Sequence, residues 1–314
     1  MRSVAITGVS GYIGTRLLER LDGLEAVERV VGIDLRPPAL APAKLRFYQQ
    51  DILQPFGPIL RENRVDAAVH LVYVLLPSHD EARVRAIDVG GTQSFLDACR
   101  EAGVGHILYL SSHSVYGAHP DNPIPLTEES PARPLPGFQY SKYKGITEGM
   151  FLDFARSNPQ VCLTILRACV VMGPAADNSV TKALFKPAIL GVSGFNPPMQ
   201  FLHEDDLVEL MVTVLLRRVP GIFNAAGSGS VPYYELARLS GKRLIALPSA
   251  LLSFIMGLTW RLRLQEESPP AGLEFIKHPV VLSTEKAERE LGFKFRYSSR
   301  EALAAFLAAR ARAA

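Results

Sequence analysis

The sequence predicts an α/β chain built on a parallel, doubly wound sheet, with a smaller lobe assembled discontinuously from its C-terminal half. Three observations predict it. Short apolar runs alternate with longer runs of helical period as far as about residue 166. A glycine-rich turn, Thr7-Gly8-Val9-Ser10-Gly11-Tyr12-Ile13-Gly14, joins the first apolar run to the first helical one. The second apolar run, Val30-Val31-Gly32-Ile33, ends in Asp34, twenty residues past Gly14.

Taken in order, Val4-Ala5-Ile6-Thr7 gives a first strand over 3–7, and Ile13, Leu17, Leu18 and Leu21 give the following stretch, 12–21, a helical period. Further strands are expected at 29–33, 45–49, 67–72, 106–110 and 161–166, and helices at 57–64, 83–102 and 138–156. Two loops interrupt the alternation: 36–43 holds three prolines and 118–137 holds six. The second follows the 106–110 strand and is either a stiff connector or the rim of a site. Residues 1–173, rejoined by 199–228, are expected to form the sheet domain, in a Rossmann-type arrangement. Residues 174–198 and 229–314 are expected to form the lobe. Within it, Leu244 to Trp260 is uncharged and flanked by Lys242-Arg243 and Arg261-Arg263. Pro248 and Gly257 interrupt it, and its length falls short of a spanning helix. It reads first as a core helix of the lobe; a hydrophobic lid or a membrane-surface contact is the alternative, because basic flanks and Trp260 suit an interface.

The turn residues point to a dinucleotide. Gly8 permits a tight turn, Gly11 lets the backbone approach a pyrophosphate, and Gly14 permits close packing of helix on strand. The spacing is G-x-x-G-x-x-G. Gly8, Gly11, Tyr12, Ile13 and Gly14 are the candidate cofactor-binding residues of this turn. Asp34 stands where a carboxylate holds the adenosine ribose hydroxyls, and would repel a 2′-phosphate. NAD is therefore expected over NADP, with Arg36, two residues on, as the group that could accept that phosphate.

A reaction site is expected downstream. Tyr140 and Lys144 stand one helical turn apart in Tyr140-Ser141-Lys142-Tyr143-Lys144, and Ser112 lies in Ser111-Ser112-His113-Ser114-Val115-Tyr116-Gly117. Oxidising a secondary alcohol needs a base for the hydroxyl proton, and a phenol with a pKa of about 10 is a poor one at neutral pH. An ammonium one turn away favours the phenolate. Tyr140 is thus the candidate general acid/base, Lys144 its electrostatic partner and a donor to the nicotinamide ribose, and Ser112 the group that orients the substrate oxygen. A Y-x-x-x-K spacing by itself would be a solvated helix face; the glycine turn and Ser112 give it meaning.

With these motifs the chain resembles an extended short-chain dehydrogenase/reductase of the NAD-dependent epimerase/dehydratase family, over nearly its whole length. Asp51-Ile52 stands where the family's acidic–apolar pair meets adenine, and His70-Leu71-Val72 resembles its fourth-strand signature beside the cofactor. The resemblance therefore adds Asp51, Ile52, Leu71 and Val72 to the cofactor-binding set. Val89-Gly90-Gly91-Thr92 resembles the next helix start, and Ser112 falls on the catalytic Ser/Thr. Leu166-Arg167, Gly173-Pro174, the run Phe201 to Asp206, Ser283-Thr284-Glu285-Lys286-Ala287 and Glu290-Leu291-Gly292-Phe293 match later landmarks. Family members often dimerise through two helices, here 83–102 and 138–156, where Phe95, Ala98, Met150, Phe151 and Phe154 could meet a partner or face the sheet.

Three departures bear on the substrate. Val170 stands where sugar-nucleotide epimerases of this family usually carry Asn, Met199 where they usually carry Arg, and Asp88 where Asn is frequent. The first two family residues serve a diphosphate, and losing charge-assisted contacts of this kind costs about 1.5–3 kcal/mol each. An apolar alcohol or ketone is therefore expected as substrate, ahead of a sugar or sugar nucleotide; a non-catalytic NAD-binding regulator is the third reading. The remaining composition agrees with an enzyme of this kind. Charged residues make up 21% of the chain and its formal charge is +3, interspersed rather than striped, so no nucleic-acid partner is expected. Three cysteines without a Cys-x-x-Cys pair suggest buried thiols in a reducing compartment. A first strand beginning near Ser3 leaves no room for a signal peptide, and a cytoplasmic enzyme is expected. Seven scattered histidines suggest no metal site. His113, beside Ser112, is either a pocket residue or a structural one.

Overall fold

The computed structural model describes residues 2–265 and 268–313. Glu266 and Glu267 lie outside the described residues, as do the two terminal ones. The N-terminal part runs β1 (Ser3–Thr7), α1 (Tyr12–Asp22), β2 (Arg29–Asp34), β3 (Leu45–Gln49), α2 (Gly57–Glu62), β4 (Ala67–His70) and α3 (Glu81–Arg85). It continues through a π turn (Ala86–Gly90) to α4 (Gly91–Ala102), β5 (His106–Ser112), α5 (Gln139–Ser157) and β6 (Cys162–Ala168). The C-terminal part comprises β7 (Val170–Met172), α6 (Ser179–Leu184), β8 (Ala188–Val192), β9 (Pro198–Met199), β10 (Phe201–His203), α7 (Glu204–Arg217) and β11 (Gly221–Ala225). It ends with β12 (Val231–Pro232), α8 (Tyr233–Leu239), β13 (Arg243–Leu247), α9 (Ser249–Arg261), α10 (Glu285–Leu291) and α11 (Ser299–Ala313).

Seven strands form the central sheet in the order β11-β6-β5-β4-β1-β2-β3, every neighbour parallel. All five residues of β1 and all four of β4 are buried, as strands covered on both faces require. The strand order reverses between β1 and β4, which opens a crevice at their C-terminal ends. One face of the sheet carries α1 and α7: Leu17, Leu18 and Leu21 join Leu207, Leu210, Met211 and Val214 in one core. The other carries α2, α4 and α5, through Leu60, Phe95, Leu96, Cys99, Phe151 and Phe154.

The structure revises several expectations. The fourth strand ends at His70, not residue 72: the last bond to β1 is from Leu71 N–H to the Thr7 carbonyl, at 3.1 Å. The 83–102 helix is three pieces: Gly91 N–H reaches the carbonyl of Ala86, so the ladder widens by one residue around Asp88. Phe95, Ala98, Phe151 and Phe154 are buried against the sheet, leaving of the five only Met150 partly exposed for a partner. Cys99 and Cys169 are buried, while Cys162 is partly exposed. The 244–260 stretch is not a core helix. Its start is β13, paired with β8; Pro248 breaks the run; and of α9 only Leu252 is buried. Among the described residues no helix is long and apolar enough to cross a membrane.

The proline-rich 118–137 loop ties the two parts of the chain together. Leu126 N–H donates to the Val281 carbonyl at 2.6 Å, and Asn122 Nδ2 to that of Pro279 at 3.1 Å. It also meets α5 at its start, where Leu135 N–H donates to Ser141 Oγ at 2.8 Å. It is therefore a cross-brace beside the site, with a structural role shown by its own hydrogen bonds.

Candidate active site

The glycine turn lies at the mouth of the crevice. Gly8 has φ +76°, and a Cβ on it would sit 3.1 Å from the backbone nitrogen of Val72. A Cβ on Gly14 would collide with the Gly8 carbonyl and lie 2.8 Å from Val9 Cα. Only glycine allows the first turn of α1 to press against the loop so closely. Gly11, the residue before α1, has no side chain to cap it, so the N–H groups of Tyr12, Ile13 and Gly14 have no side-chain acceptor there. That leaves backbone donors and the positive end of a helix facing the crevice. The Tyr12 hydroxyl is committed elsewhere: it donates to Glu204 on α7, so Tyr12 contributes its backbone.

Asp34 is fixed at the end of β2 by backbone donors. Its Oδ2 accepts from Ser10 N–H at 3.0 Å, and its Oδ1 from Leu35 N–H at 2.7 Å and Arg36 N–H at 3.4 Å. The same carboxylate thus links strand end and glycine turn. Arg36 is exposed, and its carbonyl accepts from Ser10 Oγ at 2.5 Å. Asp51 is exposed and accepts from Leu53 N–H at 2.9 Å, while Ile52 is buried against Gly91. Leu71 and Val72 line the approach to Gly8. His70 is structural: it bridges Thr7 Oγ1 at 2.9 Å and Thr92 Oγ1 at 3.2 Å, and burial pushes its pKa down to about 3, so it stays neutral.

Ser112, Tyr140 and Lys144 converge deeper in the crevice. Ser112 ends β5 and accepts from Ser114 N–H at 3.1 Å, which fixes its hydroxyl at the strand end. Burial pushes the Tyr140 phenol up to about 12, opposed by a hydrogen bond to Ser112. Lys144 Nζ donates to the Leu110 carbonyl at 2.8 Å and the Tyr109 hydroxyl at 3.3 Å. It lies 3.8 Å from the ring centre of Tyr73 and 5.9 Å from that of Tyr140. Burial pulls its pKa down to about 7, with Asp88 and Glu148 opposing. The expected depression of the tyrosine by the lysine is absent from this balance: burial sets the direction, Ser112 opposes it and Asp88 adds to it.

Two residues of the site carried little sequence signal. Tyr73 stands edge-on to Tyr140, ring centres 5.4 Å apart, and covers the Lys144 ammonium. An aromatic three residues past His70 was its one clue. Asp88 is fully buried in the π turn, where Oδ1 accepts from Val74 N–H at 2.9 Å and Oδ2 has no partner. Burial raises its pKa to about 7, against the pull of Lys144.

Arg167 and Glu148 turn out to brace the site from behind. Arg167 Nη2 donates to Glu148 at 2.6 Å and Nη1 to the Tyr116 hydroxyl at 2.8 Å; Ser111 Oγ donates to Glu148 at 2.5 Å. This buried pair locks α5 to β5 and β6 one turn beyond Lys144. His113 is partly buried, 3.4 Å from Ser112 Oγ and edge-on to Phe275, and burial pulls its pKa down to about 4.

The residues present fit a nicotinamide dinucleotide. An uncapped helix start suits the pyrophosphate, a carboxylate at the end of β2 suits ribose hydroxyls, and Lys144 has a third donor beyond the two it uses. Similarity to known proteins agrees. An uncharacterized protein of Mycobacterium tuberculosis is 26% identical over 311 residues, covering 95% of this chain and 81% of its own. A UDP-glucose 4-epimerase of Lactobacillus helveticus is 29% identical over 184 residues, 56% of this chain and 54% of its own. Among solved structures, MoeE5 in complex with UDP-glucuronic acid and NAD superposes with a TM-score of 0.78 at 22% identity, over 99% of this chain and 100% of that one. The UDP-glucose 4-epimerase of Thermus thermophilus in complex with NAD gives 0.77 at 20% identity, covering both chains fully. These likenesses establish the fold. The model of one family matches residues 4–226 directly, and the chain belongs to that family, the NAD dependent epimerase/dehydratase family.

Proposed function

We propose that this chain is an NAD-dependent oxidoreductase acting at a secondary alcohol or ketone of an apolar small molecule. Ser112, Tyr140 and Lys144 are its catalytic residues, and residues 1–173 with 199–228 are its NAD-binding domain. The observation that carries the reaction type is the convergence of Ser112 and Tyr140 at the head of β5, one helical turn from Lys144. NAD, when bound, supplies the hydride acceptor or donor. The chain's own part is protonic. With its pKa near 12, Tyr140 holds its proton at neutral pH and can donate it to a carbonyl oxygen oriented by Ser112. In the oxidative direction the phenolate must form, and a protonated Lys144 favours it. Burial beneath the Tyr73 ring works against the charge on the lysine, while Asp88 and Glu148 favour it.

The apolar substrate rests on the residues beyond the catalytic set. Val170 and Met199 both pack into the apolar cluster of Met172, Phe201 and Val231, and neither side chain offers a diphosphate a hydrogen bond. Phe275, 5.5 Å from Phe138, stands edge-on to His113. A second reading, a sugar-nucleotide epimerase or dehydratase, is favoured by the names of the matched relatives, several of which are UDP-glucose 4-epimerases. A homodimer is proposed through the outer faces of α4 and α5, checked by light scattering at micromolar concentration. The deciding experiment incubates purified protein and NAD with sterol-like, aryl and sugar alcohols while nicotinamide absorbance is followed. Net NADH formation with an apolar alcohol supports the first reading. Inversion of a sugar-nucleotide carbon, with NAD retained and no net redox change, replaces it with the second.

A further inference from the structure

Helix α9 carries no charge before Arg261, yet of its residues only Leu252 is buried. Leu252 packs with Val192 and Leu273, Met256 joins the same cluster, and Trp260 stacks on His79 with ring centres 4.0 Å apart. These three follow one another at intervals of four and form the inner face. The opposite face presents Leu251, Phe254, Ile255 and Leu258, continued by Leu262 and Leu264; Phe254 is 68% exposed and Leu264 71%. Helical spacing places the first five on one stripe, and a stripe of this kind needs a partner. The preceding strand pair adds Leu190 and Ile245, register partners that are both exposed.

Charge selects that partner. Between Glu235, which pairs with Arg238, and Glu266-Glu267 the chain carries no aspartate or glutamate, while Lys242, Arg243, Arg261 and Arg263 all lie within that stretch. Arg261 and Arg263 are exposed at the end of the apolar stripe, and Arg243 at the start of β13. A second copy seated by a two-fold axis on this face would meet an equally basic rim, which like-charge repulsion disfavours. An apolar stripe between cations matches an anionic lipid surface, where the side chains enter the acyl boundary and the arginines meet phosphates. We infer that α9 and its flanking arginines dock the protein peripherally on an anionic bilayer.

The docking would bring the site to the membrane. The inner residue Trp260 rests on His79, in the segment Pro77–Asp80 that, with Arg263, lines a cavity of about 580 Å³. Ser78 in that segment exchanges two hydrogen bonds with Gln139, the neighbour of Tyr140, at 2.9 and 2.8 Å. Gly257 of α9 meets Pro270, which opens the turn that carries Phe275 to His113. A lipid-soluble substrate would then enter from the bilayer, a consequence that rests on the apolar-substrate reading; the docking itself does not.

The test is sedimentation of the full chain, without substrate, with extruded vesicles of phosphatidylcholine alone or with 30% phosphatidylglycerol. Binding to the anionic vesicles, weakened by 0.5 M salt, is expected. Arg261→Gln with Arg263→Gln should lower partitioning by about fivefold per arginine. Phe254→Ser with Leu258→Ser should lower it by about tenfold or more, with an unchanged melting temperature showing that the exposed face was not needed for folding. Recovery of wild-type protein in the supernatant with both vesicles overturns the inference. So does a doubled mass by light scattering that Phe254→Ser abolishes in protein that ignores vesicles, because the face would then belong to a second copy. Failure of the alcohol panel, by contrast, leaves vesicle binding unaffected.

Discussion

Replacing Tyr140 by phenylalanine separates chemistry from architecture at the centre of this site. The ring stays, so its edge-on contact with Tyr73 at 5.4 Å stays too, and only the hydroxyl goes. With a pKa near 12, the phenol is protonated by roughly five powers of ten at pH 7, worth about 7 kcal/mol against the phenolate. The free enzyme is therefore poised as a proton donor, and the assay belongs in the reductive direction, with the ketone of the best substrate and NADH at pH 7. Loss of a positioned general acid costs about 10²–10⁴-fold in turnover, or roughly 3–5 kcal/mol. The structural cost is smaller: one hydrogen bond to Ser112, about 1 kcal/mol, or about 2–4 °C in Tm for a domain of this size. The dissociation constant for NADH, read by fluorescence quenching, should move by less than about threefold, under 1 kcal/mol. Residual turnover above about a tenth of wild type would refute the assignment, because the step could not then depend on this proton.

Three further outcomes follow from the same geometry. Asp34→Ala should narrow the preference for NAD over NADP by about tenfold or more, since a carboxylate near a 2′-phosphate costs on the order of 1–4 kcal/mol; tighter binding of NADP by the unaltered protein would show that Arg36 governs instead. Gly14→Ala should lower Tm and abolish dinucleotide binding, because its Cβ would lie 2.8 Å from Val9 Cα and against the Gly8 carbonyl, neither able to move freely; an overpacked site costs about 1–3 kcal/mol, and an unchanged Tm would mean that the turn relaxes. Asp88→Asn tests the buried pair. The folded Asp88 titrates near 7 and the unfolded one near 3.8, so its contribution is fully present below about 3.8 and is lost as pH rises through 7. Lys144 behaves oppositely: held near 7 instead of 10.5, it makes the fold gain stability as pH rises from 7 to 10.5. The wild type should thus lose stability from pH 5 to 7 by about 2 kcal/mol more than Asp88→Asn does, a difference that thermal melts at the two pH values would detect or exclude.

Local chemistry made the nucleotide half of this protein legible before any coordinates. Each glycine of the turn answers a steric demand within a few residues, and Asp34 lies at a strand end whose position the apolar runs define. Strands buried on both faces announce themselves as apolar runs, which is why β1 and the start of β4 fell where periodicity put them. What sequence could not supply was environment. The spacing of Tyr140 and Lys144 predicts their proximity, but their protonation depends on burial, and burial depends on Tyr73, Tyr109 and Asp88, which arrive from three other segments. The π turn that carries Asp88 arises from one widened hydrogen bond, and no residue pattern in Ala86–Gly90 marks it. Hydrophobicity alone likewise could not tell a core helix from an exposed one. Both read as uncharged runs, and only the packing of Leu252, Met256 and Trp260 on one side of α9 showed which side was left facing outward.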